Sequence, residues 1–337
     1  MLLLDSNDVA ALLDYPSCIA AVEGAFLQLA RKEGPGPVVC GVSVANGGFH
    51  VKAAALAGPR PYFVAKTNAN FPGNPSRAGL PTIQGVALLF DGGDGRLLSA
   101  LDSGELTVRR TAAATAVAAK HLARAGSETV LLCGCGVQGR AHVRALAAVL
   151  PISTVFAYDT DPGAAEGARD ELADLGSVEI LPVRALREHA LRADICVTCT
   201  PARAPILGPD DVRPGTFVAG VGADHPAKSE LSPALLAGAL VVVDVEEQCA
   251  EMGDLHHALA SGLMRRESVH AELGDVIAAN RPGRRDPRDI IVFDSTGMAL
   301  QDVAAAGLAY ERAVRQGRGF AFDLAPRGTG VRPGARP

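Results

Sequence analysis

The feature that most restricts this chain is a buried strand running straight into a glycine turn and then a helix. Val130-Leu131-Leu132-Cys133 leads into Gly134-Cys135-Gly136-Val137-Gln138-Gly139, a G-x-G-x-x-G spacing. Each glycine has a separate reason: Gly134 for a tight turn, Gly136 for backbone contact with a pyrophosphate, and Gly139 for close helix packing. A helix starting at Val137 and Gln138 would aim free N–H groups and its positive dipole end at phosphates. Alone, the spacing is weak. A second strand, Thr154-Val155-Phe156-Ala157-Tyr158, ends in Asp159, 20 residues after Gly139. An acid there accepts ribose hydroxyls and repels a 2′-phosphate, so NAD(H) is favoured and NADP(H) stays possible. The plain alternative for Asp159 is a strand-end turn, which also suits Asp.

The rhythm around this motif sets the fold class. Val130–Cys133, Val155–Tyr158, Asp194–Cys199, Phe217–Gly220, Leu240–Val245 and Ile290–Phe293 read as buried strands, with helical stretches such as Gln138–Val149 and Gly163–Leu175 between most of them. Apolar, β-branched runs alternating with helices predict an α/β fold, a Rossmann-type doubly wound parallel sheet. Before residue 126 the texture differs. One helical pattern fills the first 35 residues, and five β-like pieces follow, Val38–Val44, Phe49–Ala54, Phe63–Thr67, Gly85–Phe90 and Leu97–Leu101, separated by Gly, Pro and Asn turns. These predict a second, α+β domain built on an antiparallel sheet with hairpins. A long Ala-rich helix, Thr107–Ala125, leads out of it. The expected division is 1–125 for substrate binding and dimerisation, 126–297 for the dinucleotide, and a helix over 298–320 returning to the first part. Residues 325–337, rich in Gly, Pro and Arg, read as a disordered tail.

Composition excludes several classes of function. With 32 Lys and Arg against 37 Asp and Glu the net charge is −5, and no basic block offers nucleic acid or an anionic membrane a footprint. No apolar run approaches the ~18 residues of a membrane span, and no secretion signal is visible at the N-terminus. Seven scattered cysteines suit reduced thiols and a cytoplasmic location. Cys196-Val197-Thr198-Cys199 matches C-x-x-C, but three apart on a strand the sulfurs face opposite ways. His256-His257 has no metal-ligand spacing, so no metal is expected. A G-x-S-x-G elbow is missing, and Ala227-Lys228-Ser229 lacks the glycine of a P-loop.

Three charged residues sit in apolar or Gly-rich settings. Lys66 ends the strand Phe63-Val64-Ala65, Arg110 lies in Arg109-Arg110-Thr111 at the start of the Ala-rich helix, and Asp224 follows Val221-Gly222-Ala223. Loops after parallel strands are where open α/β sheets bind ligands, which places Asp224 near the cofactor. The bland readings are a surface lysine, a helix-terminal arginine and a turn aspartate.

Taken together, Lys66 through Asn74, Gly79-Leu80-Pro81-Thr82, Leu101-Asp102-Ser103, Arg110-Thr111-Ala112-Ala113, the glycine turn, Val221-Gly222-Ala223-Asp224 with Lys228 and Glu230-Leu231, and Phe293-Asp294-Ser295-Thr296-Gly297 resemble the ornithine cyclodeaminase/mu-crystallin family. The segments occur in family order from about residue 5 to 320. The resemblance implies a homodimer joined through the antiparallel sheets, an NAD(P)-binding Rossmann domain, and a small amino- or imino-acid substrate. By position, Lys66 and Arg110 would hold the substrate carboxylate, and Asp224 would be the general acid/base. Thr111, Thr200, Val221 and Ser295 would line the cofactor cleft. Two departures matter. The family's cyclodeaminases carry a further carboxylate-binding Arg where Val38-Val39-Cys40-Gly41-Val42 has none, and a Glu for the distal ammonium where this chain has His50. Lys52 stands two residues on and can supply the missing charge. His50 is a poor partner for an ammonium, which favours amino-acid oxidation or imine reduction by hydride transfer at Cα over cyclodeamination. The alternatives are an ornithine- or lysine-type cyclodeaminase using NAD catalytically, and a non-catalytic binding protein like mu-crystallin.

Overall fold

In the computed structural model, residues 1–34 and 36–324 are described, so the tail expected over 325–337 lies outside the described residues. Two sheets organise the chain. The first has seven strands, in the order Phe320–Ala321, Leu2–Leu4, Leu97–Asp102, Ile83–Asp91, Tyr62–Asn70, Gly47–Leu56, Val38–Val44. The five expected pieces are all there, Val38–Val44 with its expected bounds and the other four longer than read, because their ends still pair. The sheet is antiparallel except at one place: Leu2–Leu4 runs parallel to Leu97–Asp102. The second sheet has eight strands, all parallel, in the order Ala271–Glu272, Leu240–Val243, Ile291–Asp294, Phe217–Gly220, Ile195–Thr198, Thr129–Cys133, Thr154–Tyr158, Glu179–Val183. This is the doubly wound α/β arrangement.

The first helical pattern is two helices, Ser6–Leu12 and Tyr15–Ala30, meeting at 84°. Periodicity alone ran through the break. Asp14 makes it: its Oδ1 caps the second helix by accepting the Ser17 N–H at 2.9 Å, and Pro16 sits in the first turn. The Ala-rich helix runs Ser103–Leu122, earlier than read, because Asp102 caps it through the Glu105 N–H at 2.7 Å. The last helix is Ala299–Gln316, shorter than the expected 298–320, since Gly317 adopts φ +64° and the chain turns into the edge strand Phe320–Ala321. This helix packs on Tyr15–Ala30, on Ser103–Leu122 and on the inner face of the seven-stranded sheet. Both Ala-rich helices are small enough in cross-section to lie close together in one continuous aliphatic core. No single described helix is long and apolar enough to cross a membrane.

Candidate active site

The order of the parallel sheet reverses beside Thr129–Cys133: the chain winds out through Thr154–Tyr158 and Glu179–Val183, then returns to Ile195–Thr198 on the other side. Ligands bind in the crevice that such a reversal opens at the carboxyl ends of the strands. The glycine turn forms its floor. Gly134 has φ +95°, and a Cβ there would meet the Cys199 carbonyl at 2.7 Å. At Gly139 a Cβ would lie 2.0 Å from the Gly134 carbonyl, so only glycine lets the helix Val137–Ala147 start so close. Nothing lies within 4 Å of a Cβ at Gly136; that side is open. Val137 is exposed beside it, and Gln138 keeps a buried Oε1 with no protein partner. The open side of Gly136 and the helix start, which no side chain caps, fit a pyrophosphate.

Asp159 closes the strand-end turn and also reaches the glycine turn. Its Oδ1 accepts the Asp161 N–H at 2.9 Å, closing the strand-end turn, and its Oδ2 accepts the Cys135 N–H of the glycine turn at 2.8 Å. Thr200, Val221 and Ser295 each follow a parallel strand at the same edge. Thr200 donates its N–H to Glu230 Oε1 at 2.6 Å, and the Val221 N–H donates to the Thr198 carbonyl at 3.0 Å. Ser295 turns its hydroxyl down to Asp244 Oδ2 at 3.1 Å. Thr111 is buried with an unpartnered Oγ1.

The cations converge on one spot where the two sheets meet. Strand register sets Lys52 opposite Lys66 and His50 opposite Asn68, all on the inner face. Lys66 is 2% exposed; its Nζ donates to Asp302 Oδ1 at 2.8 Å and to Thr107 Oγ1 at 3.1 Å. Arg110, about two turns into its helix, donates Nη1 to Gln301 Oε1 at 2.8 Å, and its Nε lies 3.0 Å from Asp302 Oδ1 without pointing along it. Lys52 Nζ reaches across to the carbonyls of Thr296, at 3.1 Å, and Gly297, at 2.5 Å. Gly297 has φ +75°, and a Cβ there would sit 2.3 Å from Arg110 Nη1. The loop after Ile291–Asp294 thus brings the cation cluster against the parallel sheet's carboxyl edge.

The electrostatics follow from burial. It pushes the Lys66 ammonium down to about 7, with Asp302 opposing and Arg110 and Lys52 adding to the fall. Lys52 is lowered by burial and by Arg110. Burial alone would raise the Asp302 carboxyl, but Lys66 and Arg110 outweigh it and hold it below its ordinary value. Polar atoms without a protein partner gather here: Asn68 Oδ1, Asn70 Oδ1, Ser103 Oγ, Arg110 Nε, Gln301 Nε2 and Asp302 Oδ2. Buried polar groups are normally satisfied, so such a concentration marks a place built for a polar ligand.

Asp224 stands at the mouth, its side chain 48% exposed, with Lys228 Nζ folded back onto Oδ1 at 2.6 Å. Partial enclosure pushes its pKa up, but Lys228, Lys52 and His50 together hold it below the ordinary value. Asp224 is therefore a carboxylate at neutral pH. His50 is half-buried, and burial lowers its pKa while Asp224 pulls the other way.

The ornithine cyclodeaminase/mu-crystallin family profile matches residues 1–317. The chain belongs to that family. It is 36% identical over 319 residues to the alanine dehydrogenase of Archaeoglobus fulgidus, covering 94% of this chain and 97% of that one. A solved archaeal alanine dehydrogenase dimer with bound NAD superposes with a TM-score of 0.91 at 35% identity, covering 96% of this chain and 99% of that one. The Thermococcus litoralis Δ1-pyrroline-2-carboxylate reductase, solved with NADH and L-proline, gives 0.89 at 30% identity over 96% and 100%.

Within this member of the ornithine cyclodeaminase/mu-crystallin family, Asp302, Asp244 and Asp254 went unread in the sequence, and Glu230 was quoted in a motif without a role. Asp302, with Gln301, backs the cations. Glu230 is buried and accepts from Thr200 N at 2.6 Å, Thr198 Oγ1 at 2.7 Å and Gly222 N at 2.7 Å, tying together the loops that carry Thr200 and Asp224. Burial pushes its carboxyl up to about 7. Asp244 accepts from Ser295 Oγ and, at 2.6 Å, from Gly297 N, and Asp254 supports the Glu230 N–H at 2.8 Å. The signal for Asp302 was available: an acid on the apolar stripe of an Ala-rich helix. No group of His, Cys, Asp or Glu among the described residues could hold a metal, and all seven cysteines are free. Cys196 and Cys199 pack into opposite cores, as their spacing requires.

Proposed function

We propose that this protein is an NAD(H)-dependent oxidoreductase acting on a small α-amino acid or its imine, by hydride transfer at Cα. The observation that carries the reading is the gathering of Lys52, Lys66 and Arg110 against the loop Ser295-Thr296-Gly297, beside the crevice of the glycine turn. That arrangement supports a carboxylate anchor next to a dinucleotide cradle. The relatives' names point to the same chemistry.

Gly134, Gly136, Val137, Gln138 and Gly139 would hold the pyrophosphate, Asp159 the ribose hydroxyls, and Thr111, Thr200, Val221 and Ser295 the cleft walls. The nicotinamide would accept or supply the hydride. Lys66 and Arg110, with Lys52 behind them, pin the substrate carboxylate and so fix which face of Cα is presented, a positioning effect. Asp224 accepts the proton of the substrate ammonium, and opposes the positive charge that develops on the iminium. Its half-exposed place gives protons a way to water.

We further infer a homodimer and a cytoplasmic setting. Val38, Val42, Val44, Phe49, Phe63 and Val86 are exposed on the outer face of the seven-stranded sheet, an apolar patch that a second copy would cover. Free cysteines suit a reducing compartment. Residues 1–125 with the helix over 298–320 would form the substrate and dimerisation domain, and 126–297 the cofactor domain.

Two measurements test the reading. NADH oxidation is followed with pyrroline-2-carboxylate, piperideine-2-carboxylate, and pyruvate plus ammonium, beside NAD reduction with amino acids. At least one pair turns over if the reading holds; efficient release of ammonia and proline from ornithine with catalytic NAD would replace it by cyclodeamination. For the cofactor, Asp159→Asn keeps the acceptor of the turn and removes the charge. The NADPH-to-NADH ratio of kcat/KM is expected to rise about tenfold or more, since like charges a few ångströms apart repel by several kcal/mol. An unchanged ratio removes Asp159 from the ribose.

A further inference from the structure

Nothing in the family motifs quoted above includes Asp302, yet it touches more of the anchor than any other side chain. It is fully buried, it lies on the last helix, and it meets two cations that come from different elements: Lys66 from the strand Tyr62–Asn70 and Arg110 from the helix Ser103–Leu122. We propose that Asp302 is the positioning residue of the anion site: it fixes the Lys66 ammonium and the Arg110 guanidinium from behind, with Gln301 as a second support, and leaves their outward N–H groups for the substrate carboxylate. This rests on the reading of Lys66 and Arg110 as carboxylate ligands.

The donor count supports it. An ammonium has three donors. Lys66 spends one on Asp302 Oδ1 and one on Thr107 Oγ1, and the third has no described protein acceptor. Arg110 gives Nη1 to Gln301 Oε1, and its Nη2 amino group has no described acceptor. The protein therefore leaves donors of both cations unspent. Asp302 is bonded to Lys66 and lies against Arg110, so in this proposal it acts through these two groups as a positioning residue, not a catalytic one.

Charge gives the second reason. Three cations, Lys52, Lys66 and Arg110, stand together; Asp302 ion-pairs with Lys66 and Arg110, while Lys52 donates to the Thr296 and Gly297 carbonyls. One anion is enough to hold Lys66 and Arg110 side by side, and too few to neutralise the group. The surplus is positive, which is what an incoming carboxylate requires. A second carboxylate paired with Lys66 and Arg110 would have halved that surplus, and none would have left three like charges to repel one another and Lys66 to shed its proton. Lys66 faces Lys52 from the neighbouring strand, Arg110 and Thr107 from the helix, and Asp302 from the last helix; of these, Asp302 alone favours its charged form.

Asp302→Asn tests the proposal, because it keeps shape and one acceptor while removing the charge. Kinetics would use whichever of pyrroline-2-carboxylate with NADH, or pyruvate plus ammonium with NADH, turns over in the wild type. KM for the imino acid is expected to rise at least tenfold while kcat stays within about threefold. The fall of kcat/KM on the alkaline side is expected to move to lower pH by about one unit, as Lys66 loses its counter-ion. NADH binding, read by quenching of its fluorescence, should stay as in the wild type and so certify the fold. A purely structural role would lower the melting temperature and leave both KM and the alkaline limb where they were; that result overturns the proposal. If Asp302→Asn does not fold, Gln301→Ala carries the test through Arg110 alone: KM should rise three- to tenfold with the limb unmoved, and an unchanged KM is the overturning result. Lys66→Met separates the two levels. If it raises KM while the Asp302 and Gln301 variants do not, only the positioning proposal fails; if none of the three raises KM, the carboxylate-anchor reading fails as well.

Discussion

Asp224→Asn is expected to lower kcat by 10²- to 10⁴-fold, the usual contribution of a positioned acid/base, with NADH binding unchanged and KM for the imino acid moved little. The substitution is close to isosteric at a half-exposed side chain, so the fold has no reason to respond. What it removes is the proton acceptor and the negative charge facing the developing iminium. Lys228 supplies the companion arm. It is the ion-pair partner that draws Asp224 below its ordinary pKa, so Lys228→Met should let that pKa rise. The acidic limb of the oxidative reaction, where Asp224 must be unprotonated to accept a proton, then shifts to higher pH. Steady-state kinetics across the pH range reads both effects. An Asp224→Asn enzyme with more than a tenth of wild-type kcat would remove Asp224 from the reaction.

How far the sequence carried can be argued from particular elements. The six central parallel strands were legible because they are buried on both faces and therefore read as continuous apolar runs. Glu179–Val183 and Ala271–Glu272, the two edges of that sheet, were not: one is half-exposed and the other is two residues long, so neither gives a pattern to detect. The same limit hid Arg203–Leu207 and Ser229–Leu231, a separate two-stranded pair. The break between Ser6–Leu12 and Tyr15–Ala30 was hidden for a different reason. Leu12, Leu13 and Ile19 all face the core, so the apolar period continues across a corner that only the cap at Asp14 reveals. The cofactor turn was readable because its parts are neighbours in the chain. The anion site was half readable. Its cations stand out individually, but their counter-ion lies 236 positions from Lys66, and only the packing of the last helix onto the seven-stranded sheet joins them. Periodicity marks such a residue as odd; it takes the fold to say what the oddity is for.

Lys66→Met carries the other large effect. Losing one charged partner of a desolvated, hydrogen-bonded pair costs about 2–5 kcal/mol in binding, or from thirtyfold to several thousandfold in KM for the carboxylate substrate. The variant should still fold, because Arg110 remains beside Asp302 and one of three mutually repelling cations is gone. The wild-type pH profile gives an independent check. With Lys66 lowered by burial to about 7, the free enzyme loses its ammonium as pH rises through neutrality, so kcat/KM should fall on that side by up to tenfold per unit. Stability moves the opposite way. The ordinary value is 10.5, so between about 7 and 10.5 the unfolded chain holds a proton on this residue that the folded chain has released. The unfolded state then binds more protons, and this titration makes the folded state more stable as pH rises. Alkaline loss of activity with a steady or rising melting temperature is therefore the signature of Lys66, and a fall in both together would point to general unfolding. In Lys66→Met the alkaline limb should vanish. A variant that keeps both the limb and the wild-type KM would show that the substrate carboxylate is held elsewhere.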